Sequence, residues 1–238
     1  MDTVKIERGN CRMIAHRGAS ALEAENTVAA FVAAANRSYW GIETDVRVTK
    51  DGKYAISHDD TLTRMAGVDL KVEEATLAEL QAVRLFDKTG KTRSDLVVPT
   101  LEDYISVCHR YGKRSVLELK GDIAPEHVAG ILDVIESAGH FEDTVFISFR
   151  PQNLLNVKKL RPMAEAQLLP SENAEWVMKY CLENRIGLDI HHTYLTPEIV
   201  EMAHKAGLLV NCWTVDTPAY AARAIGMGVD FITTNTLE

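Results

Sequence analysis

Two acids and a histidine in the first quarter of the chain have the types and spacing of a catalytic or metal-binding site. Glu43 and Asp45 are two residues apart, so in a β-strand both side chains lie on one face. An Asp51-Gly52 dipeptide lies between Asp45 and His58 and predicts a two-residue hairpin loop. In that hairpin, residues whose numbers sum to 103 face each other. We therefore predict that His58 lies opposite Asp45, within reach of its carboxylate.

Short apolar strands alternate with amphipathic helices along almost the whole chain. If the hairpin is counted with the second strand, the pattern contains eight strands and seven clear helices. This alternation predicts an α/β fold, a (β/α)8 barrel, with an open doubly wound sheet as the alternative. No G-x-G-x-x-G motif follows the first strand, which argues against a Rossmann arrangement. We expect residues 1–238 to form one domain, with a small insertion after the hairpin at about residues 60–98.

In a barrel of this type the active site lies at the carboxyl ends of the strands. Polar residues are concentrated at the predicted ends of strands one, two and three, and an aromatic residue ends strand seven. In chain order these residues are His16, Arg17, Glu43, Asp45, Glu118, Lys120 and Trp213. The carboxylates of Glu43, Asp45 and Glu118, called the acidic cluster below, suit one hard divalent cation, Mg²⁺ or Ca²⁺.

The remaining residues at this end of the barrel suit a phosphate ester. Arg17 and Lys120 supply positive charge beside the cation, and a planar guanidinium can bind phosphate through two hydrogen bonds. His16 and His58 can then serve as acid and base across the phosphate. We expect Trp213 to contact the substrate, with packing as its alternative role.

Each residue taken alone also has a structural interpretation. A histidine at a strand end can simply satisfy hydrogen bonds, and E-x-D is common in half-exposed strands. Glu118 and Lys120 could form a surface ion pair of about 0–1 kcal/mol. The hypothesis of an active site depends on all of these residues meeting at one end of the barrel.

Composition limits the partners. The chain has 238 residues, of which 46% are hydrophobic and 25% charged, with a net charge of −8 and no cluster of Lys or Arg. We therefore expect a small-molecule substrate, no nucleic acid and no insertion into a membrane. Four scattered cysteines and an amino terminus without an apolar signal segment predict reduced thiols and a cytoplasmic location. The sequence leaves the oligomeric state open, a homo-oligomer included.

These motifs resemble the glycerophosphodiester phosphodiesterase family from about His16 to Asn235. The matching segments are HRGAS at 16–20, ENT at 25–27, ETDV at 43–46, TKDG at 49–52, HDDTLTR at 58–64, PTLED at 99–103, LELK at 117–120, WTVD at 213–216 and GVDFITTN at 228–235. Asn235 departs from the T-D-x-P that more often ends the last of these segments.

The resemblance implies a (β/α)8 barrel and hydrolysis of a glycerophosphodiester to glycerol 3-phosphate and an alcohol. It implies that His16 and His58 are catalytic, that Arg17 and Lys120 contact phosphate, and that the acidic cluster holds the metal ion. It does not assign which histidine is the acid. Two alternatives are a phosphodiesterase acting on lysophospholipids or phosphoinositides, and a barrel that binds phosphate or metal without catalysis.

Overall fold

The computed structural model describes residues 2–171 and 175–238, and its centre is a closed parallel barrel. Eight strands follow one another in the order β1-β2-β4-β5-β6-β7-β8-β9, and β1 pairs with both β2 and β9 to close the ring. The short strand β3 pairs antiparallel with β2 outside the ring. The strands are β1 Arg12–Ala15, β2 Gly41–Val48, β3 Tyr54–Ile56, β4 Arg114–Leu119, β5 Thr144–Ser148, β6 Glu165–Leu168, β7 Gly187–His191, β8 Val210–Trp213 and β9 Phe231–Thr234. The predicted (β/α)8 barrel is confirmed.

Helices connect successive barrel strands and cover the outside of the ring. They are α1 Val28–Ala35, α2 Thr63–Ala66, α3 Leu77–Ala82, α4 Leu101–Arg110, α5 Pro125–Ser137, α6 Pro151–Leu160, α7 Glu175–Asn184, α8 Pro197–Lys205 and α9 Pro218–Met227. The pattern of apolar residues predicts a helix over 174–184; the structure describes it over Glu175–Asn184, and residue 174 lies outside the described residues. Within the two described ranges, no helix combines the length and the apolar character needed to cross a bilayer.

The hairpin between β2 and β3 has a three-residue loop instead of the predicted two. The Thr49 N–H donates to the Lys53 carbonyl at 2.9 Å, and the Gly52 N–H donates to the Thr49 carbonyl at 2.9 Å. Gly52 has φ of +70° and is the left-handed residue that follows the turn. A turn followed by a left-handed residue is the usual form of a three-residue hairpin loop. Facing residues therefore have numbers that sum to 102, as in the pair Val48 and Tyr54.

This register makes the predicted pairing of Asp45 with His58 wrong. Ser57 takes that position, because its N–H donates to the Asp45 carbonyl at 3.0 Å. His58 follows one residue later, beyond the end of β3. Its backbone carbonyl accepts from the Arg47 guanidinium at 2.8 Å, so β2 still holds the segment at the barrel mouth.

The segment 60–98 has a small apolar core of its own. Leu80 and Leu85 are buried together with Leu62, Val72 and Leu96. A capping box at Thr76 and Glu79 begins α3, as the sequence predicts. The five buried apolar side chains are thus used to pack the insertion, and Leu77 and Val83 are partly buried against the same core.

Gly18 lies where a side chain would collide with a helix. It has φ of +78°, and a Cβ atom there would lie 2.7 Å from the Ala30 carbonyl carbon in α1. We expect Gly18→Ala to lower the free energy of unfolding by about 2–4 kcal/mol, from overpacking and from the left-handed backbone. Urea unfolding measures the loss. Gly112→Ala is the control, since its φ is +62° but its Cβ would meet nothing within 4 Å. Equal losses in both variants would contradict the predicted collision.

Candidate active site

A cavity of about 180 Å³ opens at the carboxyl ends of the barrel strands. Six of the eight predicted site residues line it: His16, Arg17, Glu43, His58, Glu118 and Trp213. The other two contact this group directly. Asp45 is buried beside it, and the Lys120 ammonium lies 2.9 Å from Glu118 and 3.5 Å from Asp45. The structure therefore brings all eight predicted residues together.

The acidic cluster forms because two neighbouring strands place their carboxylates in register. Asp45 of β2 lies opposite Glu118 of β4, and Glu43 is two residues before Asp45 on the same face. One carboxylate oxygen from each residue lies within 4.8 Å of the others, and all three side chains are buried. Glu118 thus lies beside the two β2 acids and not across the barrel.

The charges in this cluster are only partly compensated. Burial and the charge of Asp45 raise the pKa of Glu43 well above its ordinary value, and burial raises the pKa of Glu118 to about 8. Burial also opposes ionisation of Asp45, but the charges of Lys120 and Arg17 outweigh it and lower the pKa of Asp45 to about 2.

The donor set of the cluster fits a metal ion. Oδ1 of Asp45 is buried and has no hydrogen-bond partner among the described residues. Three carboxylates with no thiolate or imidazole between them are the ligands of Mg²⁺ or Ca²⁺. A bound cation would also favour the ionised forms of Glu43 and Glu118, whose pKa values burial raises here.

Arg17 is held at the edge of the cluster by its backbone and its side chain. Its N–H donates to Glu43 at 2.9 Å, and its guanidinium donates to Glu25 at 2.7 Å. Its Nε lies 3.6 Å from Asp45. The residue has φ of +55°, an uncommon conformation for a side chain of this size. The guanidinium is therefore fixed beside the acids, where it can contact an anion in the cavity.

A chain of hydrogen bonds orients His16. Asn235 donates through its backbone N–H and its Nδ2 to the two carboxylate oxygens of Asp216, each at 2.7 Å. Its Oδ1 therefore faces His16 Nδ1 at 2.9 Å and also accepts from the Ser20 hydroxyl at 2.7 Å. An acceptor at Nδ1 requires the proton there and leaves Nε2 free. Burial, followed by the charge of Arg17, lowers the pKa of His16.

His58 is oriented by a charged group instead of an amide. Its Nδ1 lies 2.8 Å from Asp59, whose other oxygen accepts from the Arg64 guanidinium at 2.6 Å. Arg64 also donates to Glu25, the carboxylate that holds Arg17. Burial lowers the pKa of His58, although the nearby charge of Asp45 opposes the change. Arg64 of the insertion thus binds both Asp59, which orients His58, and Glu25, which holds Arg17.

Several residues of this network carry no predicted role in the sequence analysis. Asn26 donates to Asp45 at 2.8 Å and accepts from the Thr44 hydroxyl at 2.7 Å. Glu25, Asn26, Asp59 and Arg64 all fall within the matched segments ENT and HDDTLTR. The matched segments therefore include these residues, but the sequence of a segment does not predict which side chains form hydrogen bonds with one another.

The other side of the cavity is mostly apolar. Trp213 contacts Phe149 edge to face at 5.6 Å between ring centroids, and Ile147 and Leu169 complete the wall. The indole N–H donates to the Asp189 carbonyl at 3.0 Å. Asp189 is a third acid lining this cavity, and it was not predicted because it falls within the strand and not at its end.

Several known proteins are similar to this chain over almost its whole length. The model of the glycerophosphoryl diester phosphodiesterase family matches residues 16–238. The glycerophosphodiester phosphodiesterase of Caldanaerobacter subterraneus subsp. tengcongensis is 32% identical over 232 residues, which are 95% of this chain and 94% of that protein. A glycerophosphodiester phosphodiesterase of Parabacteroides distasonis is 28% identical with a TM-score of 0.80, covering 96% of this chain and 94% of the other.

A further solved structure carries a ligand. It is an Oleispira antarctica phosphodiesterase in complex with the product sn-glycerol-3-phosphate. The two chains are 27% identical with a TM-score of 0.86, and the similarity covers 94% of this chain and 92% of the other.

Proposed function

The chain belongs to the glycerophosphoryl diester phosphodiesterase family, and on that premise we propose that it hydrolyses glycerophosphodiesters to glycerol 3-phosphate and an alcohol, using a divalent cation and two histidines. One observation carries the proposal. Two histidines with oriented rings and three buried carboxylates surround a single cavity at the active end of the barrel. The Oleispira antarctica relative, whose bound product is sn-glycerol-3-phosphate, supports this substrate class.

In the proposed mechanism Glu43, Asp45 and Glu118 hold one cation, Mg²⁺ or Ca²⁺. When bound, the cation would polarise a phosphoryl oxygen and neutralise charge that develops on it. Arg17 and Lys120 bind the phosphate from the two sides of the cluster on which their ion pairs hold them. Trp213 provides an apolar surface against which the substrate packs.

His16 and His58 move the protons. One takes a proton from the nucleophile, and the other gives a proton to the departing alkoxide. Both rings bind a partner through Nδ1, so each presents Nε2 as its free nitrogen. Hydrolysis needs one base and one acid, and the two rings supply these two groups.

We also propose that the barrel and the segment 60–98 form one functional domain. Arg64 and Arg93 of that segment form ion pairs with Glu25 and Glu23 in the loop after β1. Because Leu80 and Leu85 of the segment are buried in its core, we propose a deacylated substrate instead of a lysophospholipid.

The test is a product assay with glycerophosphocholine. We expect glycerol 3-phosphate and choline to be released in equal amounts. Phosphorus NMR measures the first product, and an enzymatic assay measures choline. Lysophosphatidylcholine, which differs by one acyl chain, is the matched comparison and is expected to react more slowly. Faster turnover of the acylated substrate would contradict the proposed substrate class. Binding of both substrates without product would contradict catalysis.

Asn235 provides a prediction about His16. Asn235→Ala removes the acceptor at Nδ1, so the ring is free to rotate, and we expect kcat to fall by about 10- to 100-fold with little change in KM. Asn235→Asp places a carboxylate oxygen at the same nitrogen and replaces the Nδ2 that donates to Asp216, so Asp216 takes up a proton in its place. The negative charge then lies next to Nδ1, where it stabilises the imidazolium and raises the pKa of His16. The limb of the pH–rate profile that reports His16 should therefore move to higher pH. An unchanged profile in Asn235→Asp would contradict the assigned role.

A further inference from the structure

The wall of the cavity opposite the acidic cluster carries a carboxyl group that the proposed mechanism does not use. In the ring of eight strands, β7 is four strands from β2 in either direction, so Asp189 of β7 faces Glu43 across the barrel. The surface around it is formed by Ile147, Leu169 and Trp213. Asp189 is thus a polar group on an otherwise largely apolar wall.

Asp189 is buried and incompletely hydrogen-bonded. Its side chain is 2% exposed, and its Oδ1 has no hydrogen-bond partner among the described residues. An unpaired buried polar atom of this kind is unfavourable unless something else in the site pairs with it. Because the residue lines the cavity, a bound ligand can supply that partner.

The neighbouring polar residue on this wall is already paired. Thr233 of β9 accepts a hydrogen bond from Asn211 at 2.9 Å, so its hydroxyl oxygen is engaged within the protein. Asn211 lies next to Asp189 in the register of β7 and β8 but is fully buried. Asn211 does not line the cavity, and of the two side chains that do, Asp189 is the one with an oxygen that has no partner among the described residues.

We propose that Asp189 binds a hydroxyl group of the glycerol moiety and thereby selects glycerophosphodiesters over phosphodiesters without that hydroxyl. The inference rests on the proposed function, since it takes the phosphate to be held by the acidic cluster, Arg17 and Lys120. The three-carbon unit attached to that phosphate then extends across the cavity toward β7. Its apolar edge packs on Trp213 and its hydroxyl reaches the unpaired oxygen.

A neutral hydroxyl suits this position better than a cationic headgroup. Burial raises the pKa of Asp189 well above its ordinary value, although a hydrogen bond from Asn211 opposes the change. Burial thus favours the protonated carboxyl, which can both donate and accept a hydrogen bond. An asparagine offers the same two capacities in nearly the same volume, whereas a leucine offers neither. Substitution of Asp189 by asparagine should therefore preserve binding, and substitution by leucine should not.

The experiment is calorimetric titration of the metal-loaded protein with three phosphate monoesters. Glycerol 3-phosphate has the hydroxyls, propyl phosphate has the same three carbons without them, and phosphocholine has a cation instead. Because binding is measured directly, the result does not depend on turnover. If the wild-type protein binds these ligands but cleaves no glycerophosphodiester, the proposed function fails while the role of Asp189 is still measured.

We expect Asp189→Leu to weaken binding of glycerol 3-phosphate by about tenfold or more and to leave propyl phosphate within about twofold. Asp189→Asn should retain most of the affinity for glycerol 3-phosphate. Thr233→Val is the matched control and should leave the ratio of the two affinities unchanged. Asp189→Ala replaces the leucine variant if that variant does not fold, with the same expected loss.

Three results would overturn the proposal. The first is an equal loss for glycerol 3-phosphate and propyl phosphate, which would show a general effect on the site. The second is a loss confined to phosphocholine, which would show that Asp189 binds a cation. The third is a loss in Asp189→Asn as large as in Asp189→Leu.

Discussion

Excess chelator should abolish hydrolysis of glycerophosphocholine, with a loss of about a thousandfold or more, and Mg²⁺ or Ca²⁺ should restore it. The size follows from the chemistry, because a cation at a developing phosphoryl charge contributes several kcal/mol and each 1.4 kcal/mol is a factor of ten in rate. The acidic cluster cannot supply this stabilisation alone, since its carboxyl groups carry no positive charge to pair with the phosphate. Initial rates measured before and after chelation, and again after each cation is added back, test this prediction.

A substitution in the acidic cluster also tests whether hydrolysis depends on a bound cation. Glu118→Gln keeps the volume but removes one ligand charge, so activity should fall strongly and require a higher concentration of cation. Glu126→Gln is the matched control, because Glu126 is exposed at the start of α5. Full activity in excess chelator, or equal cation requirements in the two variants, would contradict the metal site.

His16→Ala and His58→Ala should each lower kcat by about 10²- to 10⁴-fold, because each removes one proton transfer. The two losses should not add in the double variant, since an acid without its base can no longer complete the reaction. Both rings are oriented by fixed partners, so the effect should appear in kcat more than in KM. Steady-state kinetics of the two single variants and the double variant measure these effects.

The control for both variants is His109→Ala, since His109 is exposed on α4. It should retain wild-type kcat and the same bell-shaped pH profile. A kcat within about threefold of wild type in either His16→Ala or His58→Ala would contradict general acid–base catalysis by that residue. Fully additive losses would contradict a concerted role for the pair.

Much of the barrel and of its active end could be predicted from local patterns. The periodicity of apolar residues identifies strands that alternate with helices, and eight such units predict a closed barrel. The residues at the carboxyl ends of the strands then lie at the same end of the barrel. This is why Glu118 could be placed beside Glu43 and Asp45 from a distance of more than seventy residues. His58 was also placed correctly at the site, although the register used to place it was off by one.

The partners of these residues could not be predicted in the same way. Asn235 reaches His16 from the segment just after the last strand, and Arg64 reaches Glu25 from the insertion. Neither contact follows from periodicity or from strand-end position, because both depend on how loops pack against one another. Asp189 illustrates a different limit. In the sequence, an acid within a buried strand has no evident role. Its function as a ligand-binding group is suggested only by the cavity beside it in the structure.

The most direct test of the metal site is crystallographic. Crystals grown with Mn²⁺ should show one anomalous peak at the barrel mouth, about 2.0–2.6 Å from carboxylate oxygens of Glu43, Asp45 and Glu118. Glu118→Gln crystals grown in the same way should show a weaker peak or none. An active, cation-dependent enzyme whose anomalous peak lies away from these three carboxylates would contradict the account.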